Sequence, residues 1–288
     1  MYRLTINNIG GESMAVIENF SRYEFKYPVT FDVMEQMMAD LDPYVSIDSH
    51  ADENGCYTIS SIYLENEELD CFAETMNGID YRQKVRLRIY GTNTEKSFFE
   101  LKSKYNGLVI KRRAVLPLTE AMDFLKETEK QIDAGMDKNY IFTEENQKWI
   151  ESFHASNPQI LKELQYTILT KKLKAKNVVS YERVALFAKD SPELRITFDF
   201  NIRTRWMDLD LAHGSYGEEV NPPRVAVLEL KTGEKLPLWL VQIVSKYGYR
   251  NQTFSKYCSH YVRMLMNENE TLYGEYIKLQ HTGEEIDA

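Results

Sequence analysis

Apolar and polar residues alternate strictly along LRITFDFNIR. Leu194, Ile196, Phe198, Phe200 and Ile202 fall on one face, and Arg195, Thr197, Asp199, Asn201 and Arg203 on the other. Period-two alternation of this kind describes a strand with one face for a core and one for polar contacts. Seven further stretches read the same way: 21–29, 55–65, 80–91, 96–104, 108–117, 177–187 and 224–231. Helical spacing predicts helices over 30–41, 118–132, 143–154, 157–172, 236–248 and 258–269, three of them between the fifth and sixth strands. Thr143 and Asn157 are placed to cap two of these, and Pro158 suits a first helical position. The turn stretches YGTNTEK and KYNGL join strands three, four and five as hairpins, so the sheet is expected to be largely antiparallel.

The polar faces are unusual in sign. Lys26, Arg86, Arg88, Lys102, Lys104, Lys111, Arg183, Arg195, Lys231 and Lys256 recur at face positions, and Glu24, Glu100 and Glu229 each stand two residues before a lysine. Two architectures accommodate this pattern. In one, the charged faces are simply solvated. In the other, the sheet curls into a barrel with its charged face around an aqueous tunnel and helices on its apolar face. Without these ten cations the rest of the chain would carry about −19, against −9 for the whole, and segregation of that size points to a focused anion site.

Composition narrows the classes. The chain has 288 residues, 43% of them hydrophobic, enough for a substantial core. Its net negative charge argues against a surface that coats nucleic acid. Cys56, Cys71 and Cys258 are too few and scattered for a disulfide framework or zinc cluster, and the five histidines show no ligand spacing. The start lacks the pattern of a signal peptide and no stretch has the length of a membrane span, so a cytoplasmic location is expected. The organisation expected is an N-terminal extension over 1–20, with Met14 an alternative start, a single domain over 21–270 and a tail over 271–288.

RYEFKY, VRLRIYG, FELKSK, IKRRA, SYERVAL, LRITFD, VLELK and FSKY follow one another between residues 21 and 262. In these motifs the chain resembles the VTC-domain family, the polyphosphate polymerase domain within the CYTH-like, triphosphate tunnel metalloenzyme superfamily. The resemblance implies an α+β fold: an eight-stranded antiparallel β-barrel tunnel with helices packed on its outside. It implies ATP and inorganic polyphosphate as partners, Mn²⁺ or Mg²⁺ as cofactor, and transfer of the terminal phosphoryl group of ATP onto a growing polyphosphate chain. By position it implies catalytic roles for Arg86, Arg88, Lys102 and Lys256. It implies substrate contacts from Lys26, Lys104, Lys111, Tyr181, Arg183, Arg195, Lys231 and Ser255, and metal binding by Glu229. Two positions depart from the pattern: Arg22 stands where the superfamily's Glu-x-Glu-x-Lys motif has its first Glu, and Lys104 where the yeast-type polymerase has a histidine. The sequence shows neither an SPX sensor domain nor a membrane helix, which leaves a membrane-associated partner open.

These residue types suit the implied chemistry. A triphosphate carries about four negative charges and needs cations from several directions, arginines as forks and lysines as point charges. Phosphoryl transfer is achieved by positioning and electrostatics. A terminal polyphosphate oxygen is an ionised nucleophile needing no strong general base, whereas a hydrolase must activate water. An inorganic triphosphatase and a binding module without turnover remain as alternatives.

Overall fold

The computed structural model describes residues 20–266, apart from 107, 192, 221, 234 and 253. Most of the expected N-terminal extension, the alternative start at Met14, the end of the last expected helix and the tail lie outside the described residues. In chain order the elements are β1 (Phe20–Thr30), α1 (Phe31–Leu41), β2 (Val45–Ile47), β3 (Tyr57–Glu65), α2 (Asp70–Met76), β4 (Tyr81–Tyr90), β5 (Ser97–Tyr105) and β6 (Leu108–Leu116). They continue with α3 (Leu118–Asp133), α4 (Glu144–Glu151), α5 (Pro158–Lys171), β7 (Lys174–Ala188), β8 (Arg195–Arg205), β9 (Glu218–Glu219), β10 (Val225–Thr232), α6 (Leu238–Lys246) and α7 (Lys256–Met266). The Thr143 hydroxyl accepts from the Asn146 amide at 3.2 Å, and Asn157 Oδ1 from the Ile160 amide at 3.2 Å, so both expected caps form.

Among the described residues the strands form one ten-stranded antiparallel sheet, in the order β2-β7-β3-β4-β5-β6-β1-β10-β8-β9. The eight long strands coincide with the alternating stretches. β2 and β9 are additional, and with three and two residues they are too short for alternation to show. β7 pairs with β3 along one edge and with β8 along the other, which turns the sheet back toward itself. One face correction follows from a bulge. Asn201 has φ 50, and the register shifts there so that Arg203 lies opposite Ser180 and is ion-paired with Glu219 at 3.6 Å. Arg203 therefore leaves the face that carries Arg195 and Asp199.

Two apolar layers cover the outer face. Leu87, Ile89, Phe99, Ala114 and Leu116 of the β4–β6 strands meet Ala121, Phe124 and Leu125 of α3, Ile150 of α4 and Leu161, Leu164 and Ile168 of α5. Phe124 anchors this layer, its ring edge-on to Phe99 and stacked on Trp149 at 5.1 Å. A buried amide network ties the three helices together: Gln165 donates to Gln131 at 2.9 Å and to Asn146 at 2.7 Å. A second layer packs Met37 and Leu41 of α1 and Leu240 and Val244 of α6 onto β1, β7, β8 and β10. No helix among the described residues is long and apolar enough to cross a membrane.

Phe124→Ala should destabilise the protein by about 3–5 kcal/mol. Urea unfolding measures this, and a loss below about 1 kcal/mol would mean that the helix layer does not bear on the sheet.

Candidate functional site

With its apolar face covered, the sheet turns its charged face into a cavity of about 450 Å³. All thirteen residues assigned from the resemblance border it, together with Glu24, Tyr63, Arg82, Lys84 and Arg113. The missed cations were accessible to parity. Arg82 and Lys84 continue the two-residue spacing of Arg86 and Arg88, and Arg113 follows Lys111 by two.

Four carboxylates within this charged array hold the cations in place. Glu100 is fully buried; Arg86 Nε donates to it at 2.6 Å, Lys111 pairs with it, and Arg113 lies at 3.8 Å. Asp199, equally buried, takes a two-pronged contact from Arg183 at 2.6 and 2.7 Å. Lys256 bridges the next two strands, 2.5 Å from Asp199 and 2.6 Å from Glu229. Lys231 reaches Glu229 at 2.5 Å and Lys26 approaches it at 3.8 Å. Glu24 pairs with Lys102 at 3.0 Å rather than with its sequence neighbour Lys26. Of the three Glu-x-Lys repeats, only Glu229-x-Lys231 is an internal pair among these contacts.

The protonation directions follow from this packing. Burial works against the charge of Glu229, but Lys231, Lys256 and Lys26 overcome it and hold the carboxyl well below its usual range. Burial likewise opposes Glu24, yet Lys102, Lys231 and Lys26 pull it down to about 2. For Lys231, burial outweighs the attraction of Glu229 and brings the ammonium down to about 8. The Tyr63 phenol, against burial, is drawn down to about 8 by Arg86 and Arg88. Arg88 itself meets neutral groups, donating to Ser61 Oγ at 3.0 Å and the Tyr181 hydroxyl at 3.1 Å.

Helix α7 completes the wall. Lys26 donates to the Phe254 carbonyl at 2.6 Å, fixing the lead-in to Ser255 and Lys256. The Tyr257 hydroxyl donates to Glu65, whose carboxylate also accepts the Cys71 and Phe72 amides at 3.0 and 2.9 Å. Glu65 thereby couples α7 to the start of α2.

Among the described residues no group of three or more His, Cys, Asp or Glu could hold a metal. Glu229, which borders the cavity, offers hard oxygen donors of the kind that bind Mg²⁺ or Mn²⁺ jointly with substrate phosphates, whereas Asp199 is fully buried with both oxygens engaged by Arg183. The donor set therefore fits a cation shared with a phosphate, not one enclosed by the protein.

No curated protein matched. Among solved structures, a “putative adenylate cyclase” from Bacillus halodurans is similar at 12% identity and TM-score 0.48, over 83% of this chain and 96% of that one. A protein from Pyrococcus horikoshii is similar at 12% identity and TM-score 0.40, over 85% and 99%. At such scores neither bears on the chemistry of the cavity. The VTC domain family model matches residues 21–265, and the chain belongs to that family.

Proposed function

We propose that this chain is a metal-dependent polyphosphate polymerase that transfers the γ-phosphoryl group of ATP to an inorganic polyphosphate chain, with the cavity acting as a tunnel for the polyanion. The observation that carries the reading is the state of the carboxylates in and behind the cavity wall. Glu24, Glu100, Asp199 and Glu229 are each engaged by at least one cation. Carboxylates held so low are poor bases for activating water. They suit a reaction whose nucleophile, a terminal phosphate oxygen, is ionised already.

In this mechanism the triphosphate lies among Arg86, Arg88, Arg183, Lys102 and Lys231. The guanidiniums fork onto non-bridging oxygens and align the γ-phosphorus with the incoming chain end. Lys26 and Lys256 neutralise charge that develops during transfer, already oriented by Glu229 and Asp199. A divalent cation held by Glu229 and the phosphates would add charge neutralisation across the phosphate oxygens. ADP leaves when its phosphates lose the third anchoring group.

Incubation of the protein with ATP and Mn²⁺ or Mg²⁺ should give long-chain polyphosphate and ADP. Orthophosphate from tripolyphosphate would establish the hydrolase instead, and binding without product a non-catalytic module. Arg86→Ala and Lys256→Ala should each cost synthesis about 10²-fold or more. Glu229→Gln, checked by circular dichroism for folding, should lose metal-dependent synthesis; unchanged synthesis at ordinary metal concentrations would take Glu229 out of the site.

The low phenol pKa of Tyr63 provides a metal-free probe. A tyrosine phenolate signal should titrate near pH 8 and vanish in Tyr63→Phe, ahead of the other tyrosines among the 19 in the chain. Tripolyphosphate competes for Arg86 and Arg88, so it should raise that pKa and reduce the phenolate absorbance at pH 8.5. Absorbance unmoved by saturating tripolyphosphate would place the anion away from the two arginines.

A further inference from the structure

The cations of the cavity differ in what neutralises them. Among the described residues Lys84, Lys104, Arg82 and Arg88 have no carboxylate within ion-pair distance; Arg88 is held by the Ser61 and Tyr181 hydroxyls, and the other three lie together at one end of the cavity. Lys84 faces Ser255 Oγ at 3.5 Å and Cys258 Sγ at 3.8 Å, and its ammonium lies 4.7 Å from the Tyr257 ring centre. Arg82 donates to the Ile79 carbonyl at 2.6 Å.

Sheet register brings them together. Arg82 stands directly opposite Lys104, Lys84 opposite Lys102, and Lys102 opposite Lys111. Like charges on opposed residues destabilise a sheet. One rung further along, Glu100 stands between Arg86 and Arg113 and balances them. From that rung to the start of β4 the wall passes from balanced to cationic over two rungs, about 14 Å. Past Arg88, toward the far end of β4, a cation is again met by a carboxylate. There Arg195 is paired with Asp48 at 3.1 Å and with the Tyr57 hydroxyl at 2.8 Å. Burial, with Arg82 and Lys102 adding to it, lowers the pKa of Lys104, which is the direction expected where like charges are crowded.

Charge that the fold leaves without a carboxylate is charge that an arriving anion can satisfy. We propose that this end of the cavity is an outer anion subsite, in which Arg82, Lys84 and Lys104 hold phosphate groups of a chain extending beyond the triphosphate. The subsite rests on the polyphosphate reading of the cavity and gives it a direction: the polyanion leaves past the start of β4 and the end of β5. It also gives a preference for chains longer than three phosphates.

The test is metal-free binding of tripolyphosphate and of long-chain polyphosphate to wild-type protein and to Arg82→Gln/Lys84→Gln, by calorimetry. The ratio of the two affinities in each protein is the readout, because the number of binding registers on a long chain cancels between proteins. The double variant should lower that ratio at least tenfold while tripolyphosphate affinity changes less than threefold. Lys104→Gln alone should lower it about threefold. A melting experiment guards against misfolding: the double variant, relieved of like-charge crowding, should melt no lower than wild type without ligand and gain less from long-chain polyphosphate. Tight tripolyphosphate binding with an unchanged ratio would overturn the outer subsite and leave the polymerase reading intact. Failure of wild type to bind either anion would overturn both.

Discussion

A charge taken out of water must be met by another charge, and this requirement governs the interior of the sheet. Glu100 and Asp199 are fully buried, and each is surrounded by cations from neighbouring elements. Removing one partner of such a cluster typically costs about 3–5 kcal/mol, because it leaves an uncompensated buried charge. The outer apolar layers depend on the same requirement, since they exclude water from the strands that carry these groups. So does the position of α7. Its first residue, Lys256, is fixed by Asp199 of β8 and Glu229 of β10, while Lys26 of β1 holds the Phe254 carbonyl just before it.

Internal pairing prepares the cavity for an anion. Lysines free in water would be mobile and strongly hydrated, and ordering them would weaken binding. Here Glu229 holds Lys231 and Lys256, and Asp199 holds Arg183, in advance. On the polymerase reading, a polyphosphate entering among them would exchange one set of anionic oxygens for another and need not assemble the cations. Arg88 is prepared differently, oriented by the Ser61 and Tyr181 hydroxyls, so its full charge stays available. Pre-oriented charge of this kind is what phosphoryl transfer draws on.

Much of the fold was legible in local pattern. The eight long strands follow alternation within a few residues because one face is committed to apolar layers and the other to charge. Most of the helices follow from spacing and from the Thr143 and Asn157 caps. α2 was missed: DCFAETM is short, and its entry through Leu69, at φ 59, has no side-chain cap for a sequence reader to recognise. The extra residue at Asn201 was also invisible, since LRITFDFNIR alternates without interruption through the bulge that moves Arg203 away from Arg195. Parity describes a strand only as long as its partner keeps step.

The candidate site shows the same boundary between what a single strand reveals and what pairing adds. Arg82, Lys84, Arg86 and Arg88 are four cations at equal spacing on one strand, and nothing in the sequence ranks them. Register does: Arg86 lies opposite Glu100, while Lys84 and Arg82 lie opposite Lys102 and Lys104. On this one strand Arg86 is neutralised by Glu100, Arg88 is held by hydroxyls, and Lys84 and Arg82 stand at an end without a carboxylate. The motif VRLRIYG contains Arg86 and Arg88 and begins just after Lys84. A residue's charge is local information, but whether that charge is spent is decided by residues far away in the chain: Ser255 and Cys258 beside Lys84, and Asp199 and Glu229 around Lys256. Alternation can therefore show that a face is cationic. Only the closed set of contacts shows which of its cations still have an anion to find.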